Sequence, residues 1–224
     1  MFRVHEECRR LGLRAGAVLF RDVHIAARDA ALHEAIAREA QTIQARFADT
    51  AAIRALPEVA AFRELLRQVG VNPRREQPSV ERLLGYALKR GNLPTINSLV
   101  DAYNLVSIRS LCSLGAHDLD GIDVPVSLRL LTGTETFTPL GSDKPISVNA
   151  GEYGYVDARD RVLCRLDVLQ AEFSKVTTAT KNMLLIVEGT ASHAREHLRQ
   201  TVNDVIELVM KHCGGTAEVA AWPE

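Results

Sequence analysis

The stretch TINSLVDAYNLVSIRSLCSLGAHDLDGIDVPVSLRLL, Thr95–Leu131, changes its hydrophobic period part-way through. From Thr95 to about Arg109, Ile96, Leu99, Val100 and Val106 recur at helical spacing behind Pro94, which separates this helix from what precedes it. Beyond Gly115 the pattern becomes that of strands, read as Val124–Leu131, Glu152–Asp157, Val162–Leu166 and Met183–Val187. Toward the N-terminus the signals are helical. Pro78-Ser79 opens a helix with Val80, Leu83, Leu84, Ala87 and Leu88 inward and Gly91 as C-terminal cap, and Pro57 opens one that ends near Gly70. Arg28 to Phe47 carries Leu32, Ile36, Ala40, Ile43 and Phe47 on one stripe, and Ala15–Phe20 reads as a short buried strand. At the other end, Ser192 is the expected N-cap of a long helix closed by Gly214-Gly215, with a last strand over Ala217–Trp222. Helices, then strands, then one more helix do not alternate as a doubly wound fold requires. The expected class is α+β, a mostly antiparallel sheet packed with helices. The expected organisation is one domain over residues 1–224, with 1–56 as an N-terminal strand and helix extension and 57–224 as the core.

Composition narrows the function. The chain has 224 residues, 46% hydrophobic, with 27 Lys plus Arg against 28 Asp plus Glu and a net charge of -1. A whole-molecule polycation is excluded, so nucleic-acid contact has to come from a local basic patch, and DNA is not an expected partner. Cys8, Cys112, Cys164 and Cys213 lie far apart with no C-x-x-C pair, the pattern of a reduced, cytoplasmic protein. MFRVHEECRR, residues 1–10, places charges where a signal peptide would have its apolar core, and the longest apolar runs are too short to span a membrane.

Familiar chemical motifs are few. His193-Ala194-Arg195-Glu196-His197 has the H-x-x-E-H spacing of inverted zinc peptidases, but only 27 residues follow to supply a third ligand. The alternative is an exposed polar helix start, and no metal is expected. No phosphate loop, dinucleotide fingerprint or serine elbow occurs, so no cofactor is implied. What stands out is polar density around the Thr95–Arg109 helix. Asn97, Asp101 and Asn104 share a helical face that is either solvated or lines a pocket, and Tyr103 and Thr95 lie beside it. Lys175–Asn182, KVTTATKN, sets hydroxyls and two ammonium groups before the Met183 strand. Such a segment either holds a phosphate or sugar or satisfies its own backbone.

At these residues the sequence resembles the B3/B4 domain, the editing domain in the β subunit of phenylalanyl-tRNA synthetase, and its free-standing relatives. The matching stretches are PSVERLLGYALKRGNLPTINSLVDAYNLVSI (Pro78–Ile108), GAHDLDGI (Gly115–Ile122), GEYGYVDARDRVLCRLD (Gly151–Asp167) and KVTTATKN (Lys175–Asn182). The resemblance implies an α+β domain whose pocket reads an amino acid on a tRNA 3′ end and hydrolyses its ester. By position, Asn97, Asp101, Asn104 and His117 match the family's Asn, Asp, Asn and His. Where the synthetase domain has Thr before the second Asn this chain has Tyr103, which implies a different bound side chain. Glu152 is the candidate for the family's side-chain-reading acid.

The expected roles follow from that likeness. Asn104 and His117 are the expected catalytic pair, His117 as a base or as the group that positions water. Asn97, Asp101, Tyr103, Thr95 and Glu152 are the expected substrate contacts. Arg74, Arg75, Lys89, Arg90, Lys175 and Lys181 would meet tRNA phosphates in a salt-sensitive contact. The expected function is a free-standing hydrolase of mischarged tRNA. A non-catalytic module binding tRNA or an amino acid in the same pocket is the alternative, and a zinc hydrolase at His193 and His197 ranks third.

Overall fold

Asp29, Asp49 and Asn97 each place a side-chain oxygen on a backbone N–H two or three residues into a helix, which fixes three of the seven helix starts in the computed structural model, covering residues 1–224. The chain runs β1 (Phe2–Val4), α1 (Glu6–Arg10), β2 (Leu13–Arg21), α2 (Ala30–Arg46), α3 (Thr50–Arg54), α4 (Pro57–Gln68), α5 (Ser79–Arg90) and α6 (Ser98–Ser110). It continues through β3 (Ser113–Asp118), β4 (Val126–Leu130), β5 (Tyr153–Val156), β6 (Val162–Arg165), β7 (Leu169–Gln170), β8 (Met183–Thr190), α7 (Arg195–Cys213) and β9 (Thr216–Ala221). No helix is long and apolar enough to cross a membrane.

The class is α+β. Two sheets form, one in the order β3-β8-β2-β9, wholly antiparallel, and one in the order β1-β4-β5-β6-β7, antiparallel except where β1 runs parallel to β4. All eight residues of β8 are buried, because helices cover one face of its sheet and the second sheet faces the other. Two-sided burial explains why Met183–Val187 reads as a continuous apolar run rather than an alternation. One hydrophobic cluster extends from Phe2 to Cys213, so residues 1–56 and the rest of the chain share a core, and β2 lies between β8 and β9.

Several expectations need correction. β1, β3, β7, α1 and α3 were not anticipated. β8 runs three residues beyond Val187, through Glu188 to Thr190. α7 begins after Ala194, not Ser192, because the His193 ring takes the Thr190 N–H and holds the chain in a turn there. His193 is buried, which corrects the exposed-start reading. Its Nε2 meets the Leu111 carbonyl at 3.0 Å, and the His197 Nε2 meets Ser110 O at 2.7 Å. A carbonyl can only accept, so both Nε2 atoms carry protons; with the His193 Nδ1 accepting from Thr190, that ring has no lone pair left for a metal. These two imidazoles instead tie the start of α7 to the end of α6.

Candidate functional site

A cavity of about 360 Å³ opens between the two sheets, walled by the first turns of α5 and by α6. Ser113, Gly115, His117, Ile186 and Glu188 come from one sheet, and Tyr155, Cys164, Leu169 and Gln170 from the other. The Tyr155 hydroxyl bonds Glu188 Oε2 and joins the sheets at the cavity's inner end. Gly115 stands where a Cβ would come 3.2 Å from the Gln170 amide, so glycine there lets the second sheet approach.

Of the expected site residues, Asn104, Tyr103 and His117 line this cavity. Asn104 is half-buried, and no hydrogen bond within the protein ties its amide down. His117 lies on β3 with its Nδ1 3.0 Å from Ser174 Oγ, while Nε2 has no partner within the protein. Burial lowers the imidazole to about 4, so it is neutral at pH 7 and a weak base. The ring is held by Ser174 and is not a turn cap.

The remaining expected contacts do not line the cavity. Asn97 caps α6 through Val100 N at 2.9 Å. Asp101 is buried, with Oδ1 accepting from Ile96 N at 3.0 Å and Oδ2 3.3 Å from His33 Nε2. Burial raises Asp101 above the ordinary carboxylate value despite those two bonds. Both residues build the start of α6 and hold the segment whose Pro94 and Ile96 edge the cavity. Thr95, between those two, is exposed. Glu152 is engaged by the Arg165 guanidinium at 2.5 and 2.7 Å and by Asn149. Burial alone would raise Glu152, but those bonds outweigh it and hold the carboxyl below its usual range.

The six basic residues are all exposed, on the loop before α5, the end of α5 and the segment before β8, and none lines the cavity. Lys175 pairs with Glu172. Two of the three hydroxyls of Lys175–Asn182 are used locally, Thr180 Oγ1 accepting from Thr177 N and donating to Asp118, and Thr177 Oγ1 accepting from Ala179 N. The basic group at the cavity edge is one the sequence reading missed, Arg82, whose guanidinium donates to Val168 O.

Sequence reading also missed the cavity's two acids, Asp167 and Glu188. Asp167 Oδ2 accepts from Ser79 N, the first N–H of α5, at 3.1 Å, while its Oδ1 and the Glu188 Oε1 have no partner. Burial raises Asp167 to about 6, and burial together with the neighbouring Asp167 raises Glu188 to about 8. A charged residue closing the run Met183–Val187 was the available signal.

The B3/4 domain family model matches residues 61–214. The chain belongs to the B3/4 domain family. This B3/4 domain is 32% identical over 110 residues to a probable phenylalanine–tRNA ligase beta subunit from Vairimorpha ceranae (strain BRL01), a match covering 40% of this chain and 22% of the relative. Among solved structures it is similar to an N-terminal fragment of the phenylalanyl-tRNA synthetase beta subunit from Pyrococcus horikoshii, with a TM-score of 0.49 and 15% identity over 97% of this chain and 50% of that one. The chain thus spans about a fifth of the curated relative and half of the solved fragment.

Proposed function

We propose that this B3/4 domain hydrolyses the ester linking an amino acid to the 3′ end of tRNA, acting on mischarged tRNA made elsewhere in the cytoplasm. The observation that carries the reading is the pair of unengaged groups on the cavity wall, the Asn104 amide and the His117 Nε2. An aminoacyl ester is labile, so a catalyst gains most by holding the carbonyl beside a water and polarising it; an amide and a neutral imidazole on one wall can do both without a strong base. The cavity has room for an amino acid and not for RNA, which would remain outside. There, Arg82 at the rim and the exposed Arg74, Arg75, Lys89, Arg90 and Lys181 are available to phosphates. Membership of a family shared with a tRNA ligase subunit supports the same substrate.

The test is release of amino acid from a panel of matched and mismatched aminoacyl-tRNAs by the wild type, Asn104→Ala and His117→Gln. The expected result is release by the wild type from a subset of the panel, with a drop of about 100-fold in Asn104→Ala at unchanged tRNA affinity. tRNA affinity should fall steeply with added salt. The neutral His117 favours one second reading, a module that binds the charged end without hydrolysis. Protection of the ester by the wild type, in place of release, would establish it.

A further inference from the structure

Seven acidic side chains are buried in this protein, and five of them have a basic partner. Glu81 meets Arg63, Glu135 meets Arg129, Glu152 meets Arg165, Asp157 meets Arg161 and Asp101 meets His33. Asp167 and Glu188 are the exceptions. They are 6% and 2% exposed, they line the same cavity, and each keeps one oxygen with no hydrogen-bond donor. Close by, the Tyr153 hydroxyl is a third buried group without a partner. The nearest cation, Arg82, is exposed at the rim and spends a donor on Val168 O.

An unpaired buried carboxylate is costly, and two near one another cost more. Elsewhere the fold supplies an arginine or histidine at every such place. A cavity that keeps its acids unpaired is complementary to a ligand bringing the positive charge with it. Its walls also carry Leu83, Val100, Tyr103, Leu114 and Ile186, and of its lining residues Ile96 and Leu140 are exposed.

We infer that the cavity takes an amino acid whose side chain has an apolar shaft and a cationic amine at its tip, the amine being received by Glu188 and Asp167. The orientation rests on the aminoacyl-ester reading: the ester is attached to RNA that stays at the mouth, so the side chain points inward. An ammonium carries three donors and a full charge, and on entering it releases the Glu188 proton to solvent and meets the two unpartnered oxygens; a phenol carries one donor and no charge.

Calorimetric titration of the full chain with lysinamide, norleucinamide and tyrosinamide tests this, since the three share an α-ammonium group and differ in the side chain. Lysinamide is expected to bind at least about tenfold more tightly than norleucinamide, with that preference falling to under about threefold in Glu188→Gln and Asp167→Asn. Norleucinamide or tyrosinamide binding as well as lysinamide, the absence of lysinamide binding, or a lysinamide preference that survives both substitutions would overturn the inference. Thermal melts establish that the variants are folded, and neither substitution removes a basic partner. Deacylation of lysyl-tRNA separates the two proposals. Lysinamide preference without release of lysine would sink the hydrolase reading and keep the inference, whereas release from neutral aminoacyl-tRNAs without lysinamide preference would do the reverse.

Discussion

Two groups of buried polar side chains lie within one helix of each other, at the start of α6 and at the inner end of the cavity, and they differ in whether the fold completes them. At the start of α6, Asn97 and Asp101 have each side-chain acceptor oxygen matched to a backbone N–H or to His33. At the cavity's inner end, Glu188 and Asp167 are each completed on one oxygen only. Groups that resemble one another in sequence, Asn and Asp on one side and Glu and Asp on the other, therefore do opposite work. The first set spends its hydrogen-bonding capacity on structure, and the second holds capacity in reserve.

Stability measurements can break or sharpen that contrast. The largest loss is expected for Asp101→Ala, which removes a buried side chain bonded to both the Ile96 N–H and His33; about 3 kcal/mol, read as a fall of roughly 10 °C in Tm. Glu188→Gln should act through pH. In the unfolded chain the carboxyl loses its proton near the ordinary value of 4.5, whereas in the fold it keeps it to about 8, so raising pH between those limits favours unfolding. Tyr155, Asp167, Tyr153 and Cys164 surround the group, and the Arg82 charge lies beyond Asp167. Relative to Glu188→Gln, the wild type should lose on the order of 3 kcal/mol from pH 5 to pH 8 in denaturant titrations. A difference that stays flat with pH would mean that Glu188 is paired after all. Asn97→Ala removes one cap and should cost about 1 kcal/mol without altering ligand binding. Smallest of all is Asn104→Ala, expected within about 0.5 kcal/mol of wild type. That the variant nearest wild type in stability should be the one that loses deacylation is the sharpest form of the contrast.

Much of the frame was legible in the residues. The stripe of Leu32, Ile36, Ala40 and Ile43 gave α2 to within two residues, and Gly91 closes α5 in the left-handed conformation expected of a C-terminal cap. β3 was hidden for a physical reason. Its alternate residues Ser113, Gly115 and His117 face the cavity, so the apolar alternation that marks a half-buried strand is replaced by small and polar groups. Glu188 was hidden by its place in the sequence, because a charge after five apolar residues looks like the end of a strand and here lies inside one. Asn97, Asp101 and Asn104 were read as one helical face, yet Asn97 is the cap before α6 and only Asn104 lines the cavity; spacing alone could not tell which side chain turns into open space and which onto the backbone.

The place of β2 between β8 and β9 bears on how the protein can be divided. A fragment cut at the limits of the family match, residues 61–214, would lose both β2 and β9 and reduce a four-stranded sheet to the pair β3 and β8. One long side of β8, eight buried and mostly apolar residues, would then present its backbone N–H and C=O groups to any passing chain. Such an edge templates strand addition, so the fragment should self-associate more readily than the whole chain. In this chain the core and the four-stranded sheet extend past both ends of the family match.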